Sequence, residues 1–303
     1  MRVLVTGANG FIGSRVASAL SARGTETYAL VRDKLRANRL SALPNVRVVV
    51  ADVHDSASMA ALVATVAPSV TIHCAWYAEP GKYLAAVENV THVASTLSLA
   101  HTLAAAGCRR FVGLGTCFEY DTDLGWLSES SMCRPRHLYS AAKLATWLML
   151  EQLAASTAMT VAWARLFYQY GPDEDERRLV PYVVSALLDG RPAEVSKGEQ
   201  IRDYLHVDDV ANAVVAVAES ELGGPVNIGS GRPVSVRTLV ETIARVVGRP
   251  DLVKFGARLE APSDPAFVCA NTHVLRDGTS WRARHDLEEG ISSFVNARRE
   301  SAR

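Results

Sequence analysis

Residues Thr6–Gly13, "TGANGFIG", are the strongest indication of the fold, and they directly follow the apolar residues "VLV" at positions 3–5. They place three glycines, at positions 7, 10 and 13, between a predicted strand and a predicted helix. The first glycine permits a tight turn, the middle one lets the backbone approach a pyrophosphate, and the last lets the helix pack on the strand. The spacing G-x-x-G-x-x-G departs from the usual G-x-G-x-x-G, so an ordinary strand–turn–helix stays open beside a dinucleotide-binding loop.

Outward from this loop, apolar strands alternate with helical patterns through the first half of the chain. Strands are predicted at 2–6, 26–31, 46–51, 69–75, 109–115 and 160–166, and helices at 11–23, about 56–67, about 83–106 and about 137–157. This alternation predicts βαβ units around a parallel sheet, and nearly all-apolar strands fit a sheet covered on both faces. The predicted fold class is α/β, a Rossmann-type doubly wound parallel sheet.

The pattern changes after Gly171-Pro172, where a charged loop opens the second half. Helices are predicted at about 179–189, 208–221, about 235–247 and near 287–298, with short strands at "YLHV" (204–207) and "PVNIG" (225–229) and an otherwise irregular C-terminus. We expect an NAD(P)-binding Rossmann domain over 1–166. Residues 167–303 are expected to form mainly a smaller substrate-binding lobe, from which about 203–228 returns to the main domain.

Composition limits the classes of function. The 303 residues carry 32 Lys and Arg against 32 Asp and Glu, so overall charge argues against a nucleic-acid binder, and any anionic ligand must be held by a local cluster of donors. No apolar run approaches the roughly 18 residues of a spanning helix, and the N-terminus is typical of a first strand, not a signal peptide. The five cysteines have no metal-binding spacing. We therefore expect reduced thiols, no metal site, no membrane contact and a cytoplasmic location.

The residue after the second strand is expected to select the cofactor. Val31 is followed by Arg32 and Asp33. An arginine there accommodates the 2′-phosphate of NADP, whereas an acid accepts from the ribose 2′-hydroxyl of NAD. Arg32 therefore favours NADP(H), with NAD(H) as the alternative if Asp33 is the selector. Asp52 and Val53, after the third strand, are expected near the adenine.

Tyr139 and Lys143, in "LYSAAK", lie at i and i+4 and so on one face of a predicted helix. A phenol has a pKa near 10, and a nearby ammonium favours the phenolate and lowers that pKa. Tyr139 is then suited to exchange a proton with a carbonyl or alcohol oxygen while a hydride moves. The alternative is a structural helix with an exposed lysine.

Together these motifs resemble the extended short-chain dehydrogenase/reductases, specifically the NAD(P)-dependent epimerase/dehydratase group that acts on nucleotide sugars. The resemblance covers nearly the whole chain and rests on "TGANGFIG" (6–13), "YSAAK" (139–143), "YGP" (170–172), "IRDYLHVDDVANAV" (201–214) and "VNIGSG" (226–231). The cofactor contacts expected from the motifs and the resemblance are Gly7, Gly10, Phe11, Ile12, Gly13, Arg32, Asp52, Val53, Ala75, Tyr139 and Lys143.

The resemblance also implies a substrate site. Thr116, at the end of the fifth strand, matches the hydroxyl that hydrogen-bonds the reacting sugar oxygen. Arg202 matches an arginine that binds the diphosphate, a role that suits its forked donors, although an ion pair with Asp203 is the alternative. Arg178 is a further phosphate candidate.

Four other positions are less regular. Tyr168 stands where the family often has an asparagine, which puts the diphosphate contact usually made there in doubt. Arg276 matches a phosphate-binding arginine only approximately. Trp76 is expected either to shape the sugar pocket or to pack in the core. His73, within an apolar strand, is expected to be a core residue.

The residues after Thr116 bear on the reaction. Sugar 4,6-dehydratases of the family continue with Asp-Glu, which protonates and deprotonates the leaving hydroxyl, whereas this chain has Cys117-Phe118. Dehydration is therefore disfavoured. Glu119 lies one position after the place of that acid pair. If the strand continued, its side chain should point to the side opposite that of Phe118, but a bulge would bring it back to the site as a reserve acid or base.

The preferred prediction is a 4-ketoreductase of an NDP-4-keto-6-deoxyhexose. The alternatives are an NDP-sugar epimerase with tightly bound NAD and a non-catalytic NAD(P)-sensing regulator. A homodimer is expected to form through the two long helices at about 83–106 and 137–157, as in the family.

Overall fold

A computed structural model describes residues 1–259 and 264–301 of the chain. Its strands are β1 (Arg2–Thr6), β2 (Glu26–Val31), β3 (Val46–Val50), β4 (Val70–His73), β5 (Arg110–Thr116), β6 (Trp126–Leu127), β7 (Thr160–Leu166), β8 (Tyr168–Tyr170), β9 (Ala193–Val195), β10 (Ile201–His206), β11 (Gly224–Ile228), β12 (Pro233–Ser235), β13 (Val253–Phe255) and β14 (Phe267–Ala270). Its α-helices are α1 (Phe11–Ala22), α2 (Asn38–Ser41), α3 (Ser56–Val66), α4 (Glu88–Ala105), α5 (Leu138–Ala155), α6 (Leu179–Leu188), α7 (Val207–Glu219), α8 (Val236–Val247), α9 (His273–Gly278) and α10 (Leu287–Ser301).

The main sheet has seven strands in the order β11-β7-β5-β4-β1-β2-β3, and every pair in it is parallel. Successive side chains of a strand point to opposite faces, and the core divides accordingly. Val3 and Val5 pack in one apolar cluster with α1 and α7. Leu4 packs on the other face, in a cluster that includes side chains of α3, α4 and α5. The predicted doubly wound α/β fold is confirmed.

A smaller sheet is formed mainly by the second half of the chain, with β6 added from the first half. Its strands are ordered β12-β10-β14-β6, with β8 also pairing to β10, and β9 and β13 form a separate two-stranded ladder. The prediction of an irregular C-terminus is wrong, because β13, β14 and α9 lie there. These strands have three or four residues, and β14 pairs with β10 and with β6, which is far away in sequence. Periodicity over so few residues carries little signal.

Several element boundaries differ from the prediction, and two of the differences lie near the site. α4 begins at Glu88, because the preceding residues form turns; the Asn89 amide donates to the Tyr83 and Ala86 carbonyls at 2.7 and 2.8 Å. β4 covers only Val70–His73. β11 lies at the edge of the main sheet although it comes from the second half of the chain. The division into domains at residue 166 stays a prediction.

No helix among the described residues is long and apolar enough to cross a membrane. The same residues contain no group of three or more His, Cys, Asp or Glu arranged to hold a metal ion. His73 is a buried core residue, as predicted, and its two ring nitrogens hydrogen-bond the hydroxyls of Thr6 at 2.8 Å and Thr96 at 2.9 Å.

Candidate active site

The glycine loop joins β1 to α1 with little space around its backbone. Gly7 has φ +62°, and a Cβ added there would lie 2.8 Å from the Ala75 backbone. A Cβ at Gly13 would lie 2.2 Å from the Gly7 carbonyl oxygen. Gly10 precedes α1 with no side-chain cap, so the N–H groups at this helix N-terminus face no competing side-chain acceptor at the cap. These features fit the approach of a phosphate to the loop.

A cavity of about 300 Å³ opens beside the loop at the carboxyl edge of the sheet. Of the predicted cofactor residues, its wall includes Gly7, Gly10, Arg32, Val53 and Ala75. The position of this cavity beside the glycine loop and its lining fit part of a dinucleotide.

Four of the other predicted cofactor residues lie elsewhere. Ile12 lines the neighbouring, larger cavity. Phe11 and Gly13 line neither cavity, and Gly13 instead permits close packing of α1 on the loop. Asp52 is exposed, accepts from the His54 backbone N–H at 2.9 Å and lines neither cavity, and its contact with the adenine stays a prediction.

Arg32 and Asp33 differ in their surroundings. Arg32 is exposed and lines the 300 Å³ cavity. The Asp33 carboxylate accepts from the Leu35 N–H at 2.9 Å and caps a 3₁₀ turn at Lys34–Arg36. Asp33 does not line that cavity.

The larger cavity has a volume of about 520 Å³, and the remaining predicted site residues line it. Its wall includes Thr116, Tyr139, Lys143, Trp76, Tyr168, Arg178 and Arg202. The two cavities adjoin, because Trp76, Cys74 and Ala78 line both. Residues from β5, α5, β8 and β10 therefore meet beside the glycine loop, as expected for side chains at the carboxyl edge of a parallel sheet.

Tyr139 is surrounded by groups that favour its protonated form. Burial raises the pKa of the phenol above its ordinary value, the nearby Tyr83 ring adds to this effect, and a hydrogen bond with the Thr116 side chain opposes it. The Tyr83 and Tyr139 rings meet edge to face with centroids 4.8 Å apart. The expectation that Lys143 lowers this pKa is wrong for the protein alone, because desolvation outweighs the other influences.

Lys143 is buried, so the alternative of an exposed surface lysine is wrong. Its Nζ donates to the Leu114 carbonyl at 2.6 Å and lies 3.7 Å from the centroid of the Trp76 ring. Desolvation lowers the pKa of Lys143 to about 7, against the attraction of Glu119. Trp76 thus covers the ammonium and also borders both cavities; its indole N–H donates to the Asn89 side chain at 2.8 Å.

Glu119 does not face the substrate cavity. After Thr116 the chain enters a 3₁₀ turn, Cys117–Glu119, instead of continuing as a strand. The fully buried Glu119 carboxylate accepts from Arg165 Nε at 2.7 Å, from Trp163 Nε1 at 2.9 Å and from the Thr116 backbone N–H at 2.8 Å. Burial raises the pKa of Glu119, and Arg165 opposes that change. Glu119 is a structural anchor, which corrects its assignment as a further acid or base.

Arg202 is buried and forms an ion pair, but its partner is Asp264 (2.6 Å) and not Asp203. Asp203 instead accepts from the backbone N–H groups of Ser230 and Gly231 at 2.6 and 2.9 Å. The Arg202 guanidinium also lies 5.3 Å from the centroid of the Tyr168 ring. The ion pair with Asp264 and the contact with the Tyr168 ring therefore fix the position of the Arg202 side chain on the cavity wall.

Two further arginines have different positions. Arg178 lies 5.1 Å from the centroid of the Tyr83 ring, next to Tyr139. Arg276, the approximate match for a phosphate contact, lines a separate cavity and not the substrate cavity.

Three polar residues of the larger cavity were missed by the sequence analysis. Gln169, Glu174 and Gln200 line it, and each has a buried side-chain oxygen without a hydrogen-bond partner among the described residues. Burial raises the pKa of Glu174 to about 8. Glu174 belongs to the run "DEDERR", which in the sequence is indistinguishable from a solvated loop, and no spacing signal marks the two glutamines.

Comparison with known proteins bears on this arrangement. The family model described as "NAD dependent epimerase/dehydratase family" matches residues 3–229.

The chain belongs to this family.

A UDP-glucose 4-epimerase of Azospirillum brasilense is 30% identical, over 96% of this chain and 89% of the relative. A 3-diazoavenalumate denitrifying reductase of a Streptomyces species is also 30% identical, over 95% of each chain. The solved structure of MoeE5 in complex with UDP-glucose and NAD superposes with a TM-score of 0.85 at 27% identity and covers 100% of both chains. The family predicted from the motifs is confirmed, and its relatives include both epimerases and reductases.

Proposed function

We propose that the protein is an NAD(P)-dependent reductase of a nucleotide-linked keto-sugar, with an NDP-4-keto-6-deoxyhexose as the substrate class. One observation carries this proposal. Thr116, Tyr139 and Lys143 line one cavity with Arg178 and Arg202, while no Asp-Glu pair follows Thr116. The nearest carboxylate after that position, on Glu119, is held in a buried ion pair. The cavity thus has groups suited to a carbonyl oxygen and a diphosphate, and lacks the acid pair of a dehydratase.

Each residue has a proposed task. The cofactor, when bound, supplies the hydride that a carbonyl carbon accepts. Tyr139 donates its proton to the carbonyl oxygen, and its raised pKa keeps that proton in place at neutral pH. The Thr116 hydroxyl hydrogen-bonds the same oxygen and so orients the substrate. Arg178 and Arg202 bind the two phosphates with forked donors.

Other residues are proposed to hold the cofactor. The backbone of the glycine loop contacts its pyrophosphate, and Lys143 contacts its ribose hydroxyls. Arg32 contacts the 2′-phosphate of NADP, because Arg32 lines the cavity while the Asp33 carboxylate caps a turn. This preference for NADP(H) favours a reductase, which releases its oxidised cofactor, over an epimerase that retains bound NAD.

The decisive experiment is to mix the protein with NADPH and UDP-, CDP- or dTDP-linked 4-keto-6-deoxyhexoses and to follow absorbance of the reduced nicotinamide. Stoichiometric NADPH loss with formation of an alcohol is expected. Tyr139→Phe should lower kcat by about 10²–10⁴-fold, because the general acid is removed. Isomerised sugar without net NADPH consumption would establish the epimerase instead. If Tyr139→Phe leaves every activity unchanged, the non-catalytic regulator is the correct assignment.

Arg32→Asp tests the cofactor preference. The variant should lose affinity for NADPH and gain affinity for NADH, because a carboxylate repels the 2′-phosphate and accepts from a 2′-hydroxyl. Binding constants follow from nicotinamide fluorescence titrations of both cofactors. Arg23→Asp, an exposed arginine of the surface pair with Glu219, is the control and should leave both affinities unchanged. Unaltered NADPH affinity in Arg32→Asp would contradict the assignment.

The protein is further proposed to act as a cytoplasmic homodimer. The five cysteines are all free thiols, as a reducing compartment favours. The dimer contact is proposed on α4 and α5.

A further inference from the structure

A second cavity, of about 330 Å³, lies further along β10 from the substrate cavity. Tyr204 of β10 lines both cavities. His206, two residues further along β10, lines only the second cavity. The rest of the wall comes from Tyr170 of β8, the turn after β11, Val234 of β12, Arg276 of α9, and the segment between α9 and α10 up to Leu287. None of the residues assigned to catalysis, cofactor or substrate lines this cavity.

The charge of this wall is strongly positive. Arg232, Arg276 and Arg282 line it, and none of them forms an ion pair within residues 1–259 and 264–301. One acidic residue, Asp286, shares the wall, and its carboxylate accepts from the Glu289 backbone N–H at 2.8 Å as the cap of α10. In a chain with as many acidic as basic residues, three unpaired arginines around one cavity form a local anion-attracting site.

One of these arginines is held in place by the fold. Arg282 Nη1 donates to the carbonyl oxygens of Trp281 at 2.6 Å and of Arg276 at 3.1 Å. Among the described residues only this nitrogen of the guanidinium forms hydrogen bonds, so its other N–H donors remain available to a ligand. Trp281 itself is anchored, because its indole N–H donates to the buried Asp209 carbonyl at 3.1 Å.

His206 contributes a buried donor. Its ring is 1% exposed, and Nδ1 accepts from the Asp208 backbone N–H at 3.3 Å. Burial lowers the pKa of His206 to about 4, so the ring is neutral at pH 7 and its proton lies on Nε2. Nε2 has no hydrogen-bond partner among the described residues. A buried donor without a partner is costly, and an oxygen-rich ligand in the cavity would satisfy it.

His285 keeps the His206 ring in position. The two rings are 4.4 Å apart between centroids, and His285 Nδ1 hydrogen-bonds the buried Asp209 carboxylate at 2.9 Å. Asp209 also accepts from the backbone N–H groups of Arg284 and His285, both at 3.0 Å. The Asp209 carboxylate is therefore engaged in hydrogen bonds within the protein, next to the two histidines.

We propose that this cavity binds the phosphoryl group of a small phosphorylated metabolite. Arginine forks suit phosphate oxygens, and the neutral imidazole supplies one further N–H. The volume lies at the lower end of the roughly 300–1,000 Å³ typical of small-molecule pockets, which fits a phosphomonoester. The site is independent of the proposed reductase activity.

The test follows the ring signals of His206 and His285 by NMR of histidine-labelled protein during titration with inorganic phosphate, at ionic strength held constant with sodium chloride. The two resonances are assigned by their disappearance in His206→Gln and His285→Gln. Titrations are run with and without saturating UDP, which is expected to occupy the substrate cavity. Saturable shifts that persist with UDP are expected. Failure of UDP to bind would count against the proposed function and would leave this measurement intact.

Arg232→Ala/Arg276→Ala should weaken phosphate binding at least about tenfold, because two charged donors are removed. Arg237→Ala/Arg249→Ala removes the same charge from exposed arginines outside the cavity and should leave affinity unchanged. Parallel titrations with a hexose phosphate and with AMP identify the organic part by the tighter affinity. The proposal is overturned if sodium chloride alone reproduces the shifts, if phosphate causes none, or if both double variants bind equally.

Discussion

At the scale of single residues, Glu119 decides how the end of β5 is interpreted. In the sequence it lies three positions after a catalytic candidate, Thr116, and the same carboxylate is suitable for either proton transfer or structure. Its contacts with Arg165 and Trp163 withdraw it from the substrate cavity. The negative charge is needed where it lies, because Arg165 is also buried.

Glu119→Gln should therefore destabilise the protein by about 3–5 kcal/mol, since it leaves the Arg165 charge buried without its counter-ion. Urea denaturation followed by tryptophan fluorescence measures the free energy of unfolding. Asp123→Asn is the control: it breaks a pair between Arg136 and an exposed carboxylate and should cost less than about 1 kcal/mol. A Glu119→Gln variant of unchanged stability that loses turnover would return Glu119 to the catalytic residues.

At the level of elements, two glycines of β5 leave the space that the Trp163 side chain of β7 occupies. Gly113 of β5 is in register with Trp163 of β7, and a Cβ at Gly113 would lie 2.3 Å from the Trp163 ring. A Cβ at Gly115 would lie 2.3 Å from Trp163 Nε1 and 2.6 Å from Glu119 Oε1. The two glycines make room for the indole that in turn binds Glu119. β5 thus positions Thr116, its last residue, and the Cys117–Glu119 turn that follows it.

Gly113→Ala should cost about 1–3 kcal/mol, because the core around Trp163 has no room for an added methyl group. Gly223→Ala is the matched control, since the nearest atom to an added Cβ there is the Val161 carbonyl oxygen at 3.7 Å, an ordinary contact. Thermal unfolding of both variants measures the difference. Equal melting temperatures would show that β5 and β7 move apart to accept the methyl group.

The elements also show where sequence patterns succeed. The longer strands and helices of the first half were predicted to within a few residues, because each is long enough for its apolar period to be read, whereas the short elements α2 and β6 were not predicted. The short strands β8, β9, β12, β13 and β14 were not predicted as such. Each has three or four residues, and its existence depends on a partner strand elsewhere in the chain.

At the scale of the whole molecule, α4 and α5 pack side by side and expose an apolar surface. Val87, Val90, Leu148 and Met149 are 75%, 59%, 50% and 57% exposed. Exposed side chains of this kind on two adjacent helices fit a two-fold contact with the same helices of a second copy.

Val90→Glu should convert the proposed dimer to a monomer, because two-fold symmetry brings a buried charge into the contact from each subunit. Sedimentation velocity gives the mass in solution. Leu124→Glu alters an equally exposed leucine, 53% accessible, outside these helices and should leave the mass unchanged. A monomeric wild-type protein, or a dimer that survives Val90→Glu, would contradict this contact.

Local patterns in the sequence were enough to predict the fold class, the family and the members of the site that short-range spacing reveals. The glycines of the loop and the i, i+4 pair Tyr139 and Lys143 are examples, since strand, turn and helix geometry fix their relation locally. The ion pairs of the site and the pKa directions of its side chains became visible in the tertiary structure alone. Glu119 pairs with Arg165, 46 residues away, and Arg202 with Asp264, 62 residues away. The direction of each pKa change follows from burial, and burial is a property of the packed chain that no local pattern contains.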